Sequence, residues 1–344
     1  MLILGLESTC DETACAVIKD GKEILSNCIA SQESLHAPYG GVVPEIAARE
    51  HARVFPDLLQ KALKIANVSL ADIDLITVAS SPGLIGALST GVNFARGLSI
   101  GTKKKLIGVN HVEAHLYAAI MSAETLPMFP SLGIVLSGGH TVMFLMKSHI
   151  DYEVIGMTVD DAIGEAFDKA ARILDLPYPG GPSIEKLATH GDVLAFSFKA
   201  GEIKGRPYDF SFSGLKTAIL YAVKGQGNKS SAISILHTDQ DRQNVAASFQ
   251  HAAFSKIIDK CLLAINHFSC KALIIGGGVA SNSYFRSLIE KKINIPSFLP
   301  PKNLCTDNAV MIAGYGYSSY LAQGIISKNI TISSQSAWKK YDFL

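Results

Sequence analysis

L-I-L-G-L-E-S-T-C-D-E-T-A-C-A-V-I, residues Leu2 to Ile18, joins two apolar runs through a loop of small and acidic residues. Leu2 to Leu6 and Ala14 to Ile18 read as strands, with Glu7 to Thr13 as the polar loop between them. Asp20-Gly21 is a hairpin turn into a third strand, Glu23 to Ile29. The plan returns at Leu132 to Thr158. Gly133 to Leu136 is apolar, Ser137-Gly138-Gly139-His140-Thr141 is a small polar loop, Val142 to Met146 is apolar, and a polar turn leads into Tyr152 to Met157.

The parallel continues downstream. Leu75 to Ala79 is β-rich and is followed by Ser80-Ser81-Pro82-Gly83 and a helical segment, Ile85 to Leu98. Its counterpart is Ala272 to Ile275, followed by Gly276-Gly277-Gly278-Val279-Ala280-Ser281-Asn282 and the helical segment Tyr284 to Lys291. Leu106 to Val109 then enters a helix at Asn110, as Ile295 to Leu299 leads through Cys305-Thr306-Asp307-Asn308 into Ala309 to Tyr320. Each half is a strand-rich start followed by α/β alternation, which predicts a mixed sheet covered by helices. Duplicated halves of this kind are expected to flank a cleft, with ligands outside the strand ends. The expected domains are a first lobe over 1–130, a second over 131–335, and a tail over 336–344.

Within the second lobe, about 159–227 reads as a helical insertion. Asp161 to Leu174 has helical periodicity, and Glu165 and Asp168 stand four residues before Lys169 and Arg172, the spacing of surface ion pairs. Tyr178-Pro179-Gly180-Gly181-Pro182 is a tight loop opening a helix, Ser183 to Ala188. In Asp209-Phe210-Ser211-Phe212-Ser213-Gly214-Leu215-Lys216-Thr217 the phenylalanines alternate with serines in strand fashion before a helix start. Gln226 to Ser231 is polar and reads as an exposed loop.

Composition sets limits on function. The 344 residues, 48% hydrophobic, supply ample core for two domains. A formal charge of +1 provides no global field for a polyanion or an anionic membrane, so such a partner must meet a local patch. The six cysteines show no C-x-x-C spacing, which fits a reducing cytosol rather than a disulfide framework. The N-terminus lacks the basic region of a signal peptide, and no apolar run reaches the roughly 18 residues of a membrane span.

The chemistry-bearing stretch is Asn110-His111-Val112-Glu113-Ala114-His115. Asn110 is a good helix N-cap, so His111 and His115 lie in the first turns of a helix, only about 40° out of line, and can share one ion. A zinc peptidase places its glutamate directly after the first histidine. Here that place is Val112, and Glu113 lies roughly 200° round the helix from His111. If the halves are related by a pseudo-twofold axis, the loop at Asp307 is the counterpart of the loop at His111. Asp307 is then the third ligand of a mixed N/O set with open positions, suited to polarising a substrate. Composition leaves iron, zinc and magnesium open. Three loops of small residues, Ser8 to Thr13, Ser137 to Thr141 and Gly276 to Asn282, can present backbone N–H groups to phosphate; none is a P-loop. Asp11 and Glu12 lie in the first, where an acid can serve as general base or hold a metal.

Nine ordered motifs carry a resemblance over nearly the whole chain: E-S-T-C-D-E-T at Glu7, H-A-P-Y-G-G-V-V-P-E at His36, H-V-E-A-H at His111, S-G-G-H-T at Ser137, G-E-A-F-D-K at Gly164, Y-P-G-G-P at Tyr178, D-F-S-F-S-G-L-K at Asp209, G-G-G-V-A-S-N at Gly276 and C-T-D-N at Cys305. The chain resembles the bacterial tRNA adenosine threonylcarbamoyltransferases, older members of which were described as O-sialoglycoprotein endopeptidases. The resemblance implies the duplicated actin-like, sugar-kinase-like ATPase fold, with two α/β lobes flanking a nucleotide cleft. It also implies a cytoplasmic acyltransferase that moves the threonylcarbamoyl group of threonylcarbamoyl-adenylate onto the exocyclic amine of the adenosine beside the anticodon, in tRNAs reading codons that begin with A, releasing AMP. By the same resemblance the metal ligands are His111, His115 and Asp307, and the ion is Fe(2+), with zinc or magnesium as alternatives. Substrate contacts fall on Val135, Leu136, Ser137, Gly138, Gly139, Asp168, Gly181, Glu185 and Asn282, and Asp11 matches the essential acid. An inactive paralogous subunit and a small ATPase are the implied partners, and no membrane. The sequence departs mildly from the family pattern, as in E-S-T-C-D for E-T-S-C-D, and no proposed ligand is lost. A kinase or ATPase of the same fold, a metallopeptidase and a non-catalytic scaffold are the competing readings.

Overall fold

Leu4 and Leu6 lie on one face of strand β1 (Leu2–Glu7) and Gly5 on the other, and this alternation decides what each face of the first sheet carries. The computed structural model describes residues 1–225, 236, 238–323, 330–335 and 338. Gln226 to Ser231 and all of the expected tail except Trp338 lie outside the described residues.

β1 pairs antiparallel with β2 (Glu12–Lys19), and β2 with β3 (Glu23–Ser31). On its other side β1 runs parallel to β4 (Leu75–Ser81), which runs parallel to β5 (Lys105–Asn110), giving the order β3-β2-β1-β4-β5. A single turn, α1 (Glu33–His36), precedes the long helix α2 (Pro44–Ala66), and α3 (Ile85–Thr102) follows β4. Leu4 and Leu6 join Cys15 and Val17 of β2 in a buried cluster with Phe55, Leu58 and Leu59 of α2 and Val92 and Ala95 of α3. α4 (His111–Met121) begins where β5 ends, and the Asn110 side chain accepts from the N–H groups of Val112 and Glu113, the N-cap expected there.

The second sheet repeats the first strand for strand. β6 (Ser131–Leu136), β7 (Thr141–Met146), β8 (Tyr152–Met157), β9 (Ala272–Gly276) and the short β10 (Ser297–Phe298) stand in the order β10-β9-β6-β7-β8, with the same parallel and antiparallel pairs. Between β8 and β9 come α5 (Ile163–Ile173), α6 (Gly180–Ala188), α7 (Ser213–Lys224) and α8 (Asp239–Phe268), and α9 (Ser283–Lys292) follows β9. α6 and α7 pack against both α5 and α8. The alternation in Asp209 to Ser213 is a pairing with the end of β8: the Phe210 N–H donates to the Met157 carbonyl at 3.0 Å, and the Val159 N–H to the Phe210 carbonyl at 2.9 Å. Phe210 and Phe212 are thereby buried, and the exposed residues Ser213 and Gly214 open α7.

The chain falls into two compact units, Met1–Leu126 with Leu299–Trp338, and Pro127–Phe298. The sequence reading kept everything from 131 to 335 together, whereas helix α10 (Ala309–Gln323) packs on β1, β2, β4 and α4 of the first unit. The face left bare by Gly5 is what admits it. A Cβ at Gly5 would lie 2.1 Å from the Ala309 carbonyl oxygen, and one at Gly316 would lie 2.4 Å from Thr77 Cγ2. No helix among the described residues is long and apolar enough to cross a membrane.

Candidate functional site

His111 opens α4 and His115 follows one turn later, so both rings project from one face, with centroids 4.7 Å apart. Asp307 reaches them from the loop before α10. Its neighbour Asn308 is fully buried, accepts from the Met311 N–H, and donates to the Thr306 carbonyl at 2.8 Å, which pins the loop. Asp307 Oδ1 stands 3.4 Å from His111 Nε2 and 3.2 Å from His115 Nε2. One ligand atom from each of the three residues lies within 4.8 Å of the others.

The residues fit a divalent cation. His115 is 1% exposed, yet neither ring nitrogen has a hydrogen-bond partner among the described residues, because the 3.2 Å approach of Asp307 lacks hydrogen-bond alignment. A buried polar atom left this way is costly unless something else satisfies it. Burial holds His115 below the ordinary imidazole range, in the neutral form a metal requires. Burial also opposes a charged His111, but the carboxylates of Glu7 and Asp307 outweigh it and hold that ring well above the ordinary range. Burial alone would raise Asp307, and the two histidines bring it well below the usual carboxylate range. Two carboxylates around two imidazoles thus leave a demand for positive charge, which a bound cation meets.

Glu113 points away from the pair, as the helical geometry requires. Its carboxylate accepts from the Tyr315 hydroxyl and from Trp338 Nε1–H at 3.1 Å, so Glu113 does not serve as a general base of the zinc-peptidase kind. Glu7, the last residue of β1, does face His111, with Oε2 2.9 Å from Nδ1. The sequence reading treated Glu7 only as part of an acidic loop; its place at the end of an apolar strand, on the side of the histidine helix, was the missed signal.

Asp11 lies in the loop between β1 and β2, and its carbonyl accepts from the Gln32 N–H at 2.9 Å. The adjoining Cys10 carbonyl accepts from His51 Nε2–H at 3.0 Å. His51 Nδ1 receives Thr13 Oγ1 at 2.8 Å and Gln32 Nε2 at 3.3 Å, and Gln32 Oε1 accepts from His36 Nε2–H at 3.1 Å. The Val43 N–H then donates to His36 Nδ1. A buried chain of imidazoles and one amide therefore ties the loop of Asp11 to the H-A-P-Y-G-G-V-V-P-E motif. Burial, with Asp307 and Asp11 nearby, pushes Glu12 above the usual carboxylate range.

In the second unit Val135 to Gly139 and Asn282 lie at and beyond the C-terminal ends of β6 and β9, whereas Asp168 is on α5 and Gly181 and Glu185 are on α6. Val135 and Leu136 end β6, and the Ser137 to His140 loop closes on itself, Ser137 N–H donating to the His140 carbonyl at 2.8 Å. The Gly164 N–H at the start of α5 donates to the Ser137 carbonyl at 3.1 Å. Gly138, Gly139 and Gly181 have open space where a Cβ would stand. Gly277 differs: its φ is +92° and a Cβ would lie 2.3 Å from the Leu136 carbonyl oxygen, so the fold itself requires glycine there. Asp168 Oδ1 accepts the Gly180 N–H at 2.7 Å, and Glu185 Oε1 accepts the Ser283 N–H at 2.8 Å. Asn282 caps α9 through Phe285 N–H and donates to Gln250 Oε1 at 2.8 Å, so both ends of its amide are engaged within the protein. Glu165 makes the expected pair with Lys169 at 2.8 Å. Of the consecutive lysines Lys103, Lys104 and Lys105, two are engaged within the protein: Lys104 Nζ donates to the Ala71 carbonyl and Lys105 Nζ to the Tyr320 hydroxyl, each at 2.6 Å.

A mixed sheet built twice on one strand order, with functional loops at the carboxyl ends of its parallel strands, is the actin-like, sugar-kinase-like ATPase fold. Solved structures similar to the chain include the HypF protein of T. kodakarensis (TM-score 0.61, 16% identity, 95% of this chain and 48% of that one). Another is component A of the (R)-2-hydroxyglutaryl-CoA dehydratase of Acidaminococcus fermentans (TM-score 0.52, 14% identity, 93% and 99%). Within this class the chain belongs to the tRNA N6-adenosine threonylcarbamoyltransferase (TsaD) family, whose model matches residues 23–314. Curated relatives of that name include those of Protochlamydia amoebophila, 55% identical over 94% of each chain, and of Chlamydia trachomatis serovar L2b, 53% identical over 98% of this chain and 99% of that one.

Proposed function

We propose that the chain transfers the threonylcarbamoyl group of threonylcarbamoyl-adenylate to the exocyclic amine of the adenosine next to the tRNA anticodon. The observation that carries this reading is its combination of family membership with the His111–His115–Asp307 cluster, in which both histidines are buried and neither ring nitrogen of His115 has a hydrogen-bond partner among the described residues. His111 Nε2, His115 Nε2 and Asp307 Oδ1 hold one divalent ion, Fe(2+) by preference. When bound, the ion supplies Lewis-acid polarisation of the threonylcarbamoyl carbonyl.

The chain's own residues do the rest. The amine attacks the carbonyl carbon, a C–N bond forms, and the C–O bond to phosphate breaks with its electrons leaving on AMP. Asp11 takes or orients the amine proton, its loop held through Gln32 and His51. The open Ser137 to Gly139 loop admits the phosphate to backbone N–H groups, and Asp168, Gly181, Glu185 and Asn282 line the nucleoside end. Asn282 also caps α9 and bonds Gln250, which supports a part in holding the loop that follows β9.

Net charge of +1 and the engagement of Lys104 and Lys105 support a tRNA surface completed by other subunits, an inactive paralogue and a small ATPase, in the cytoplasm. The test is transfer of label from threonylcarbamoyl-adenylate to unmodified tRNA, with the other subunits added and withheld. It is run with metal-depleted and metal-restored protein and with His115→Ala. Transfer that survives metal removal in full would refute the role of the ion; absence of transfer under every condition would refute the activity.

A further inference from the structure

We propose that Glu7 is the positioning residue of the ion site, setting which nitrogen of His111 faces the metal; this rests on the metal reading above. Glu7 is fully buried at the end of β1, so it touches no substrate. Its two oxygens are divided between two tasks. Oε1 accepts the Thr9 N–H at 2.6 Å, and Oε2 stands 2.9 Å from His111 Nδ1. A carboxylate only accepts hydrogen bonds, so Nδ1 must carry a proton, and on metal binding it is Nε2 that gives up its proton and offers its lone pair. Nε2 is the nitrogen that faces Asp307, 3.4 Å away, on the side where His115 Nε2 also lies. Thr9 Oγ1, 3.3 Å from Nδ1, is a second acceptor on the same side of the ring. Partners of this kind fix the tautomer of metal-bound histidines and raise their basicity.

The arrangement makes Glu7→Gln informative. The Thr9 N–H still needs an acceptor, so the glutamine carbonyl oxygen stays with Thr9 and its NH₂ turns to His111. Nδ1 then has to accept, and the ring proton moves to Nε2, the ligand nitrogen. The variant nearly preserves volume while reversing the tautomer the site requires.

The experiment uses Zn(2+) titrated into the metal-free full-length chain, Co(2+) absorption as a second probe, and long-range ¹H–¹⁵N spectra of the zinc-loaded wild type. Expected are His111 bound through Nε2 with its proton on Nδ1, and Glu7→Gln binding zinc on the order of 10–100-fold more weakly with an altered cobalt spectrum and unchanged far-ultraviolet circular dichroism. Wild-type affinity in Glu7→Gln, or His111 bound through Nδ1 in the wild type, would overturn the proposal alone. The spectrum needs no variant, so it decides the matter even if Glu7→Gln fails to fold. A wild type that binds neither ion, or binds as well after His115→Ala, would overturn the metal reading and this proposal with it.

Discussion

Gly5→Ala adds one carbon to the face of β1 that carries α10. The new Cβ would stand 2.1 Å from the Ala309 carbonyl oxygen and 2.9 Å from Ala313 Cβ. Restoring an ordinary contact of about 3.5 Å asks α10 to retreat by about 1 Å or more. Overpacking of this kind costs about 1–3 kcal/mol, which in a unit of this size lowers the melting temperature by about 2–12 °C. Asp307 lies two residues before Ala309 and moves with the helix, away from His111 Nε2 and His115 Nε2. Metal ligands tolerate deviations of only about 0.2 Å, so metal affinity is expected to fall together with stability. Thermal unfolding followed by circular dichroism gives the first quantity, and metal content after dialysis against a buffered zinc solution gives the second. Gly97→Ala is the control, since a Cβ there meets nothing within 4 Å. If Gly5→Ala melts within a degree of wild type and keeps its metal, the close seating of α10 on β1 does not set the position of Asp307.

Asp11→Asn is expected to bind metal and adenylate normally and to lose transfer rate on the order of 10²–10⁴-fold; an unchanged rate removes Asp11 from the reaction. Gly139→Ala should weaken adenylate binding in calorimetry with little change in melting temperature. Gly277→Ala should chiefly lower the melting temperature, because its Cβ meets backbone and its φ is positive; the reverse pattern would reassign both loops. Burial opposes the charged form of Asp160, but hydrogen bonds from Ser211 Oγ, the Phe212 N–H and Ser213 Oγ hold its carboxyl below the usual range. That stabilisation is present above the unfolded pKa of about 4 and is lost as pH falls through the folded value. Asp160→Asn should therefore cost about 1 kcal/mol at neutral pH, with a gap from wild type that closes in acid; denaturant titrations showing a constant gap would contradict this. The isolated chain should bind tRNA weakly and lose what binding it has as salt rises in a filter assay. Tight, salt-resistant binding would assign the whole tRNA surface to this chain.

The duplication was legible because it is written twice in period-two apolar runs and small-residue loops, and the two strand orders agree. The helix start at Asn110 was legible through capping chemistry, which is local. What escaped the reading was long-range. α2 buries Ala47, His51, Phe55, Leu58, Leu59 and Ala62 at helical spacing, a pattern present in the sequence but unused. The assignment of α10 to the first unit turns on Gly5, whose lack of a side chain is silent until its partner is known. The candidate ligands His111, His115 and Asp307 were legible as residue types at matching points of two halves. Glu7 was not, because a carboxylate at a strand end looks the same in sequence whether it faces water or an imidazole 2.9 Å away. The reverse holds for Asn282 and for Lys104 and Lys105, whose polar ends the fold engages internally.

The return of α10 to the first unit gives the molecule an order of assembly during synthesis. Residues 1 to 121 emerge with β1 to β5 and both histidines, yet the sheet face that carries Gly5, Thr77 and Val109, and the side chain of Asp307, wait for the chain around a helix that starts at Ala309. At roughly 5–20 residues per second the interval from Leu126 to Ala309 lasts on the order of ten to forty seconds. Through that time the nascent first unit holds an uncovered apolar face and an unfinished pair of imidazoles, and the second unit is made in between. A ribosome that stops before Asp307 releases a chain with both sheets but only two of the three clustered side chains, so the complete His111–His115–Asp307 cluster marks a chain translated past that residue.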